Sequence, residues 1–333
     1  MIPLETYDIG IVGAGAWGTT LAMHLSRKGY RILLWAYEKE VVDEINRGHR
    51  NTVYLRDFDL PDQIRATTDL AEMKSASRLI ISVPSAFYTH VVNDLARHIP
   101  EGVQILSATK GFLDSELKRP SEFLIELFPN HAIGVLSGPN LSKEIASGLP
   151  AVSRVASENK ELIREFQLML SSERFRVYGG SDIIGTELGG SLKNIIALAA
   201  GMADGLNLGE NALAALITRG LAEMIKLGKI LGAEERTFYG VSGLGDLICT
   251  CQSPLSRNHQ VGKRLAGGEK LAAILSSISA VPEGIDTTRH VHKYAHNRDL
   301  DLPITRAVYS ILFEDAVPET ALRELMTRTL KME

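Results

Sequence analysis

The sequence predicts two domains, an N-terminal α/β domain built on a doubly wound sheet and an all-α C-terminal domain. The chain has 333 residues, which is long enough for two hydrophobic cores. Its first half alternates short apolar runs with amphipathic segments, and this alternation favours a parallel sheet with helices on both faces. From about Ile183 onward, helical period continues with almost no strand signal. We therefore expect domains at residues 1–185 and 186–333.

Seven segments of the first half are predicted to be strands. They are Tyr7–Val12, Arg31–Ala36, Arg78–Val83, Val103–Ala108, Ala132–Leu136, Ala151–Ala156 and Arg174–Tyr178. Helical period is clearest at Ala16–Arg27, Ala86–Arg97 and Glu158–Leu170. Gly48–Ala66 fits no regular pattern and is predicted to be a loop.

The second half is predicted to be helical throughout. Glu187–Leu206 and Asn211–Leu231 resemble long, mostly buried helices, because apolar residues occur on more than one face. The shorter predicted helices are His259–Ala266, Leu271–Ser277, Thr287–His296 and Ile304–Phe313. The apolar character of this domain suggests a homodimer, although the sequence names no interface.

The overall composition excludes several classes of protein. Hydrophobic residues make up 45% and charged residues 23%, an ordinary globular mixture. The net charge of −4 disfavours attraction of the whole protein to nucleic acid or to an anionic membrane. No apolar run reaches the ~18 residues of a membrane span, and the N-terminus does not resemble a secretion signal. Two cysteines cannot make a disulfide scaffold, so a cytoplasmic location is the simplest expectation.

A glycine-rich turn follows the first predicted strand. It has the pattern G-x-G-x-x-G at Gly13, Gly15 and Gly18, and it opens a helical segment. In such a turn the first glycine permits the sharp bend, the second lets backbone approach a pyrophosphate, and the third allows close packing of helix on strand. The pattern therefore predicts a dinucleotide site of the Rossmann type, with a purely structural turn as the alternative.

The end of the second predicted strand bears on the choice of dinucleotide. A carboxylate there favours NAD, and an arginine favours the phosphate of NADP. Tyr37 is neither, Glu38 lies 20 residues after Gly18 and suits a ribose hydroxyl, and Lys39 could serve a phosphate. These residues leave NAD(H) and NADP(H) both open.

Polar residues also follow two later strands, where ligands of doubly wound sheets bind. Lys110 and Gly111 come after Val103–Ala108, and an ammonium at that place can meet a phosphate or a carbonyl. Gly138, Pro139 and Asn140 force a sharp turn that leaves backbone N–H groups toward the cleft. The alternative for Lys110 is an ordinary solvated lysine.

Lys193 is the strongest candidate for catalysis in the helical half. It lies in an apolar helix that is interrupted by Gly189 and Gly190, and each glycine costs about 1 kcal/mol relative to alanine. That cost suggests close approach of another backbone or of a ligand. Asp246, between apolar neighbours, either pairs with Lys193 or caps the following helix.

Two further motifs of this half involve possible ligands. Ser256, Arg257 and Asn258 offer a hydroxyl, a guanidinium and an amide in succession, which suits a phosphate. The alternative is a solvated loop in which Ser256 or Asn258 caps a helix. Cys249 and Cys251 lack the second ligand pair of a zinc site, so we expect buried apolar cysteines and no metal.

Taken together, these motifs resemble the bacterial-type NAD(P)-dependent glycerol-3-phosphate dehydrogenases. The matches run in order from residue 9 to about 306 and include Gly13-Ala-Gly15-Ala-Trp-Gly18, Ala108-Thr-Lys110-Gly, Leu136-Ser-Gly138-Pro-Asn140, Leu188-Gly-Gly-Ser-Leu-Lys193-Asn194, Ile217-Thr-Arg219-Gly-Leu-Ala-Glu223, Gly243-Leu-Gly-Asp246-Leu, Ser256-Arg257-Asn258 and Pro282-Glu283-Gly284. The resemblance implies reversible hydride transfer between a nicotinamide and dihydroxyacetone phosphate. The product, sn-glycerol 3-phosphate, would supply phospholipid synthesis.

The resemblance also implies roles for individual residues. Lys193 corresponds to the family's general acid and base. The implied substrate-binding residues are Lys110, Gly138, Asn140, Lys193, Asp246, Ser256, Arg257 and Asn258. The implied cofactor-binding residues are Gly13, Gly15, Ala16, Trp17, Gly18, Tyr37, Lys110, Ser142, Arg257, Val281 and Glu283.

Three positions depart from the family's usual pattern. Ala16 replaces a frequent serine, Tyr37 replaces a basic residue or histidine, and Asn140 replaces serine or threonine. Two rival functions stay open. A dehydrogenase of the same architecture could act on a hydroxy acid or sugar acid, since arginine also binds carboxylates. A non-catalytic nucleotide sensor would keep the glycines but would not need Lys193 and Asp246 together.

Overall fold

The computed structural model describes residues 6–278 and 282–327. Its N-terminal part is built around one eight-stranded sheet. The strands are β1 Ile9–Val12, β2 Ile32–Trp35, β3 Ile64–Thr67, β4 Arg78–Ile81, β5 Gln104–Ser107, β6 Ile133–Ser137, β7 Ala151–Ser157 and β8 Phe175–Gly180. Their order across the sheet is β3-β2-β1-β4-β5-β6-β7-β8.

This strand order is doubly wound, as the sequence predicts. The chain runs outward from β1 to β3 and then returns to β4 on the other side of β1. Ligands of such sheets bind at this switch point, beyond the carboxyl ends of the strands. The predicted parallel pairing is wrong at one place, because β6 and β7 are antiparallel. The connecting residues 138–150 contain only the five-residue helix Ser142–Ala146, about 7.5 Å long, which is too short to carry the chain back along β6 for a parallel pairing.

The strand β3 corrects the prediction that Gly48–Ala66 is entirely a loop. It lies at the edge of the sheet and pairs in parallel with β2. With only four residues, of which Arg65 is exposed, it is too short for a period-2 pattern to stand out.

The sheet is buried on both faces by helices. In β2, Ile32 and Leu34 belong to one apolar layer, whereas Leu33 and Trp35 belong to the other. Such burial on two faces explains why these strands are continuous apolar runs. The helices of this part are α1 Ala16–Arg27, α2 Lys39–Gly48, α3 Ser85–Ala96, α4 Pro120–Leu127, α5 Ser142–Ala146 and α6 Lys160–Leu170.

The C-terminal part is helical and surrounds one central helix. The helices are α7 Ile183–Gly205, α8 Gly209–Ile230, α9 Glu235–Phe238, α10 Asp246–Gln252, α11 Arg257–Ala266, α12 Leu271–Ser276, α13 Glu283–His296, α14 Pro303–Phe313 and α15 Pro318–Met326. The central helix α7 contacts α8, α10, α11 and α13, and it also contacts β6 of the sheet. Its position places α7 at the junction of the two parts. The domain boundary near residue 185 stays a prediction.

The two long helices differ in burial. As predicted, α7 is buried on nearly all sides. The same prediction for α8 is wrong, because α8 is buried along one side only, through residues such as Ile217, Met224 and Leu227. Ala214, Ala215 and many of its other residues are exposed. Alanines share this exposed side with polar residues such as Thr218 and Lys226, so the sequence pattern did not separate it from the buried side.

Candidate active site

The glycine-rich turn joins β1 to α1 at the switch point. Gly13 has a φ of +115°, and a Cβ at this residue would lie 2.6 Å from the carbonyl oxygen of Ser82. A Cβ on Gly18 would collide with the carbonyl oxygen of Gly13. The sharp bend and the close packing of α1 therefore require glycine at both positions.

The open side of this turn fits a dinucleotide. A Cβ built on Gly15 has no heavy atom within 4 Å, in contrast to Gly13 and Gly18. The first N–H groups of α1, beginning at Ala16, carry the partial positive charge of a helix N-terminus. The indole N–H of Trp17 is buried and has no hydrogen-bond partner among the described residues. This arrangement offers donors and backbone access to a pyrophosphate.

Two lysines and one aspartate meet beyond the carboxyl ends of the strands. Lys193 Nζ donates to Asp246 Oδ1 at 2.5 Å, and Lys110 Nζ donates to Asp246 Oδ2 at 2.7 Å. Asp246 is 1% exposed, so its carboxylate is shielded from water. One buried carboxylate therefore fixes two ammonium groups. Of the alternatives for Asp246, pairing with Lys193 is the one that the structure shows.

The surroundings of Lys193 favour proton exchange near neutral pH. Burial lowers the pKa of Lys193 to about 8, with the Asp246 carboxylate opposing that shift and the Lys110 charge adding to it. An ammonium has three N–H donors. Two of them go to Asp246 and to Thr250 Oγ1, the latter at 2.6 Å. One donor therefore stays free for an oxygen of a ligand.

Close packing around Gly189 and Gly190 brings these charges together. A Cβ on Gly189 would collide with the carbonyl of Ser242 in the π-helical turn Val241–Gly245, which leads into Asp246. A Cβ on Gly190 would collide with the hydroxyl of Ser137, at the end of β6. The predicted close approach of another backbone is confirmed at Gly189, whereas at Gly190 the neighbour is a side chain. This close packing explains why α7 contains two glycines, although each of them lowers the stability of a helix.

The loop that follows β5 is tied to the same helix. Gly111 N–H donates to Ser191 Oγ at 2.8 Å in buried surroundings. Lys110 Nζ also donates to the carbonyl oxygen of Gly138 at 3.1 Å. Lys110, predicted from its place at a strand tip, therefore bridges three elements, and the alternative of a solvated lysine is wrong.

The motif Ser256-Arg257-Asn258 begins α11 beside α7. Ser256 Oγ accepts from the N–H of His259 at 3.3 Å and so caps the helix, as one alternative held. Asn258 Nδ2 donates to Asn194 Oδ1 at 3.0 Å, and its Oδ1 accepts from Gly284 N–H at 3.1 Å. These bonds join the motif to Asn194, the residue after Lys193, and to Gly284 at the start of α13.

Arg257 and Glu283 complete the charged surroundings. The Arg257 side chain is exposed at the first turn of α11. Burial raises the pKa of Glu283, while the charges of Arg257, Lys110 and Lys193 oppose that rise. The three cations are therefore close enough to act on one carboxyl group. Together they gather three positive charges around the carboxyl groups of Asp246 and Glu283, in a protein whose net charge is negative.

The other predicted residues lie around these charged groups or at the cofactor end of the site. Gly138, with a φ of +149°, packs on Ser153, and Asn140 Nδ2 donates to Ser153 Oγ at 3.1 Å. Ser142 begins α5, and its carbonyl oxygen accepts from Thr20 Oγ1 of α1 at 3.3 Å. Tyr37 is 81% exposed beyond β2. Val281 lies outside the described residues.

Comparison with known proteins matches both parts of the chain to one family. The family model for the N-terminus of NAD-dependent glycerol-3-phosphate dehydrogenase matches residues 8–163, and the model for its C-terminus matches residues 182–323. The chain belongs to this family.

Individual relatives support the same assignment. The glycerol-3-phosphate dehydrogenase [NAD(P)+] of Syntrophotalea carbinolica is 44% identical over 98% of this chain and 99% of the relative. The Salinibacter ruber enzyme of the same description is 41% identical over 98% of this chain and 97% of its own length. The crystal structure of glycerol-3-phosphate dehydrogenase from Coxiella burnetii matches with a TM-score of 0.93 and 38% identity, covering 98% of this chain and 100% of that one.

Within this family site, the sequence interpretation missed Thr250. Its hydroxyl accepts from Lys193 Nζ and donates to the carbonyl oxygen of Asp246 at 2.6 Å. Thr250 follows Asp246 by four residues, so a helix starting at Asp246 places both on one face. The sequence analysis gave that helix, α10, no bounds and considered Asp246 only as its possible cap, so the spacing to Thr250 was not used.

Features of other functional classes are absent from the described part of the chain. In residues 6–278 and 282–327, no three His, Cys, Asp or Glu side chains are grouped so as to hold a metal ion. Cys251 is buried and Cys249 is half-buried, with both thiols free. None of the described helices is long and apolar enough to cross a membrane.

Proposed function

We propose that this chain is an NAD(P)-dependent glycerol-3-phosphate dehydrogenase that interconverts dihydroxyacetone phosphate and sn-glycerol 3-phosphate. The observation that carries the proposal is the pairing of Lys193 and Lys110 on the buried carboxylate of Asp246, beside the switch point of a dinucleotide-binding sheet. The relatives named above bear the same activity in their descriptions. The rival of a non-catalytic nucleotide sensor does not account for this cluster.

The turn from Gly13 to Gly18 holds the dinucleotide pyrophosphate, and Trp17 adds an indole N–H that needs a partner. Lys110 and Arg257 bind both the cofactor and the substrate, and so connect the two binding sites. When bound, the nicotinamide supplies or accepts a hydride at the central carbon of the substrate.

Lys193 exchanges the proton that the hydride transfer requires. In the direction of reduction, its free N–H donates to the carbonyl oxygen, and the positive charge stabilises the developing alkoxide. With a pKa of about 8, Lys193 is protonated at neutral pH and suits this direction. In oxidation the neutral amine accepts the hydroxyl proton. Reduction should therefore slow, and oxidation accelerate, as pH rises through about 8.

Asp246 and Lys110 keep that proton donor in place. By binding both ammonium groups, Asp246 limits the rotation of two long side chains and holds Lys193 charged despite its burial. Lys110 adds a second positive charge close to the reacting oxygen. Orientation of this kind accounts for a large share of the rate enhancement in enzymes.

The phosphate of the substrate is bound at the start of α11. The Arg257 guanidinium suits a phosphate because it offers paired donors. Asn258, fixed by Asn194 and Gly284, keeps one amide N–H that these two bonds do not use. A phosphate held there orients the carbonyl toward Lys193. Ser256, Gly138 and Asn140 supply the remaining predicted contacts.

The proposed function extends to the cell. The product suits phospholipid synthesis, the enzyme acts in the cytoplasm, and nucleic acid is not a partner. We also propose a homodimer, which the exposed small apolar residues of α8 support. The two domains are residues 1–185 and 186–333.

A Lys193→Ala variant tests the proposal. We expect the turnover number for dihydroxyacetone phosphate to fall by about 10³-fold or more, because the variant loses the proton donor and its charge. NADH affinity should stay within about twofold of that of the unsubstituted protein, measured by calorimetry. Lys229→Ala, which changes an exposed lysine of α8, is the matched control. Near-normal turnover of Lys193→Ala would contradict the assignment.

A further inference from the structure

The carboxylate at the end of β2 has a fixed position. Glu38 precedes α2, and its Oε1 accepts a hydrogen bond from the Tyr54 hydroxyl at 2.7 Å. Burial and the neighbouring Glu38 raise the pKa of Tyr54 to about 12, so the phenol stays protonated and donates. A carboxylate oriented through one oxygen keeps its other oxygen for a ligand.

Tyr54 is in turn connected to the glycine-rich turn through Asn51. This asparagine is fully buried, and its Nδ2 donates to Ala14 O and to Thr19 Oγ1, each at 2.9 Å. Its Oδ1 accepts from the N–H of Tyr54 at 3.2 Å. The same short turn therefore contacts the pyrophosphate loop and the carboxylate of Glu38. These hydrogen bonds therefore fix the position of Glu38 relative to the glycine-rich turn.

The end of β2 is where a doubly wound sheet meets the adenosine ribose. The carbonyl oxygen of Trp35, the last residue of β2, accepts from Gly13 N–H at 3.0 Å, so this strand end adjoins the glycine-rich turn. A fixed carboxylate there accepts a hydrogen bond from a ribose 2′-hydroxyl. The same carboxylate repels a 2′-phosphate, since both groups are negative.

Positive charge near Glu38 is less well placed. Lys39 is the first residue of α2 and its side chain is exposed, so its ammonium is solvated and its position is not fixed by burial. Tyr37 carries no charge and extends into solvent. At the end of β2, the Glu38 carboxylate is therefore fixed in position, whereas the Lys39 ammonium is not.

We propose that Glu38, positioned by Tyr54, is a specificity-determining residue that makes this enzyme prefer NAD(H) to NADP(H). The inference rests on the proposed function and deepens it, because it selects between the two cofactors that the sequence and the relatives leave open. Glu38 selects the cofactor by accepting from one ribose substituent and repelling the other. Tyr54 acts through Glu38 and is a positioning residue.

Direct binding of NADH and NADPH to the full chain tests this proposal. Titration calorimetry should give a dissociation constant for NADPH at least about 10-fold above that for NADH. Glu38→Gln should bring the ratio of the two constants close to one. Tyr54→Phe should shift the ratio the same way by a smaller amount, and the exposed Glu40→Gln on the same helix should leave it unchanged. The ratio of kcat/KM values with dihydroxyacetone phosphate should follow the binding ratio.

Other outcomes would overturn the proposal. One is equal or tighter binding of NADPH than of NADH by the unsubstituted protein. Another is a ratio of the two dissociation constants that does not change in Glu38→Gln. A third is an NADPH preference of the unsubstituted protein together with a Lys39→Ala variant that loses affinity for NADPH alone. Failure of both cofactors to bind would contradict the proposed function itself. Binding of both with equal affinity would contradict only the assignment of Glu38.

Discussion

The glycine-rich turn and the lysine–aspartate cluster achieve their effects in opposite ways. The turn occupies six consecutive residues, Gly13 to Gly18, and depends on the absence of side chains. The cluster gathers Lys110, Lys193 and Asp246 from three distant segments and depends on charged side chains in buried surroundings. Binding of the pyrophosphate therefore depends on backbone shape, whereas the proton transfer depends on electrostatics. Substitutions in the two regions should therefore change different measured quantities.

Alanine substitutions in the turn should give the largest effect. Gly18→Ala places a Cβ against the Gly13 carbonyl, so we expect loss of detectable NADH binding and a lower melting temperature. Gly15→Ala places a Cβ where no protein atom lies within 4 Å. That variant should keep its melting temperature and still bind NADH far more weakly. Calorimetry and thermal unfolding of both variants separate the two effects; equal NADH affinity in Gly15→Ala would break the comparison.

Asp246→Asn should change the chemistry and leave cofactor binding intact. Without the Asp246 carboxylate, Lys193 loses the group that orients it and favours its charged form, so we expect kcat for reduction to fall by about 10²–10³-fold. The pKa of Lys193 should fall further below about 8, since Asp246 is the charge that raises it. The basic limb of the kcat profile for reduction should therefore move to lower pH. Asp204→Asn, at the far and exposed end of α7, is the control, and a basic limb that does not move would exclude this electrostatic role.

Arg257→Ala should chiefly affect substrate binding. Loss of a charged hydrogen-bonding group from the phosphate site is expected to raise KM for dihydroxyacetone phosphate by about 10–100-fold. The value of kcat at saturation should change much less, because the reacting groups stay in place. Arg264→Ala on the same helix, whose partner is Glu269, serves as the control. An unchanged KM would remove Arg257 from the phosphate site.

Glu223→Gln should give the smallest effect, on stability alone. Glu223 is buried and accepts from the N–H groups of Ile304 and Thr305 at the start of α14. Burial raises the pKa of this carboxyl from 4.5 to about 7. Between these values the folded state keeps a proton that the unfolded state has lost, so stability falls as pH rises. The loss amounts to at most about 3 kcal/mol.

Chemical denaturation between pH 4.5 and 8 measures that dependence. Glu223→Gln should flatten the decline, whereas the exposed Glu158→Gln should not. Glu187 is another buried carboxyl with a pKa of about 7, so part of the fall in stability with pH should persist in both variants. A slope unchanged by Glu223→Gln would show that burial does not control this carboxyl.

The same contrast explains how much the sequence could predict. The glycine-rich turn is local, and its spacing predicts both the turn and the helix Ala16–Arg27, which the structure confirms to the residue. The sequence motifs also lead to Lys193 and Lys110, because charged residues among glycines and apolar residues are conspicuous. The sequence names Asp246 as a partner of Lys193 only as one of two alternatives, and no local pattern indicates that Lys110 shares this carboxylate. That contact depends on how α7, α10 and the loop after β5 pack together.

Other parts could not be predicted for related reasons. The edge strand Ile64–Thr67 is too short to show a period. The exposed side of α8 mixes Ala214, Ala215 and Ala222 with polar residues such as Thr218 and Lys226, so the sequence pattern does not separate it from the buried side. The hydrogen bond between Tyr54 and Glu38 joins residues 16 apart through a loop of no regular pattern. In each case the deciding contact is tertiary.

The most direct test of the central claim is nicotinamide oxidation by the purified chain on addition of a ketone. The assay compares dihydroxyacetone phosphate with dihydroxyacetone, which lacks the phosphate, and with 2-oxo acids, using NADH and NADPH in turn. We predict rapid, saturable oxidation with dihydroxyacetone phosphate and a kcat/KM at least about 10³-fold lower for the other ketones. Oxidation of neither cofactor by dihydroxyacetone phosphate, or faster oxidation by a 2-oxo acid, would contradict the account.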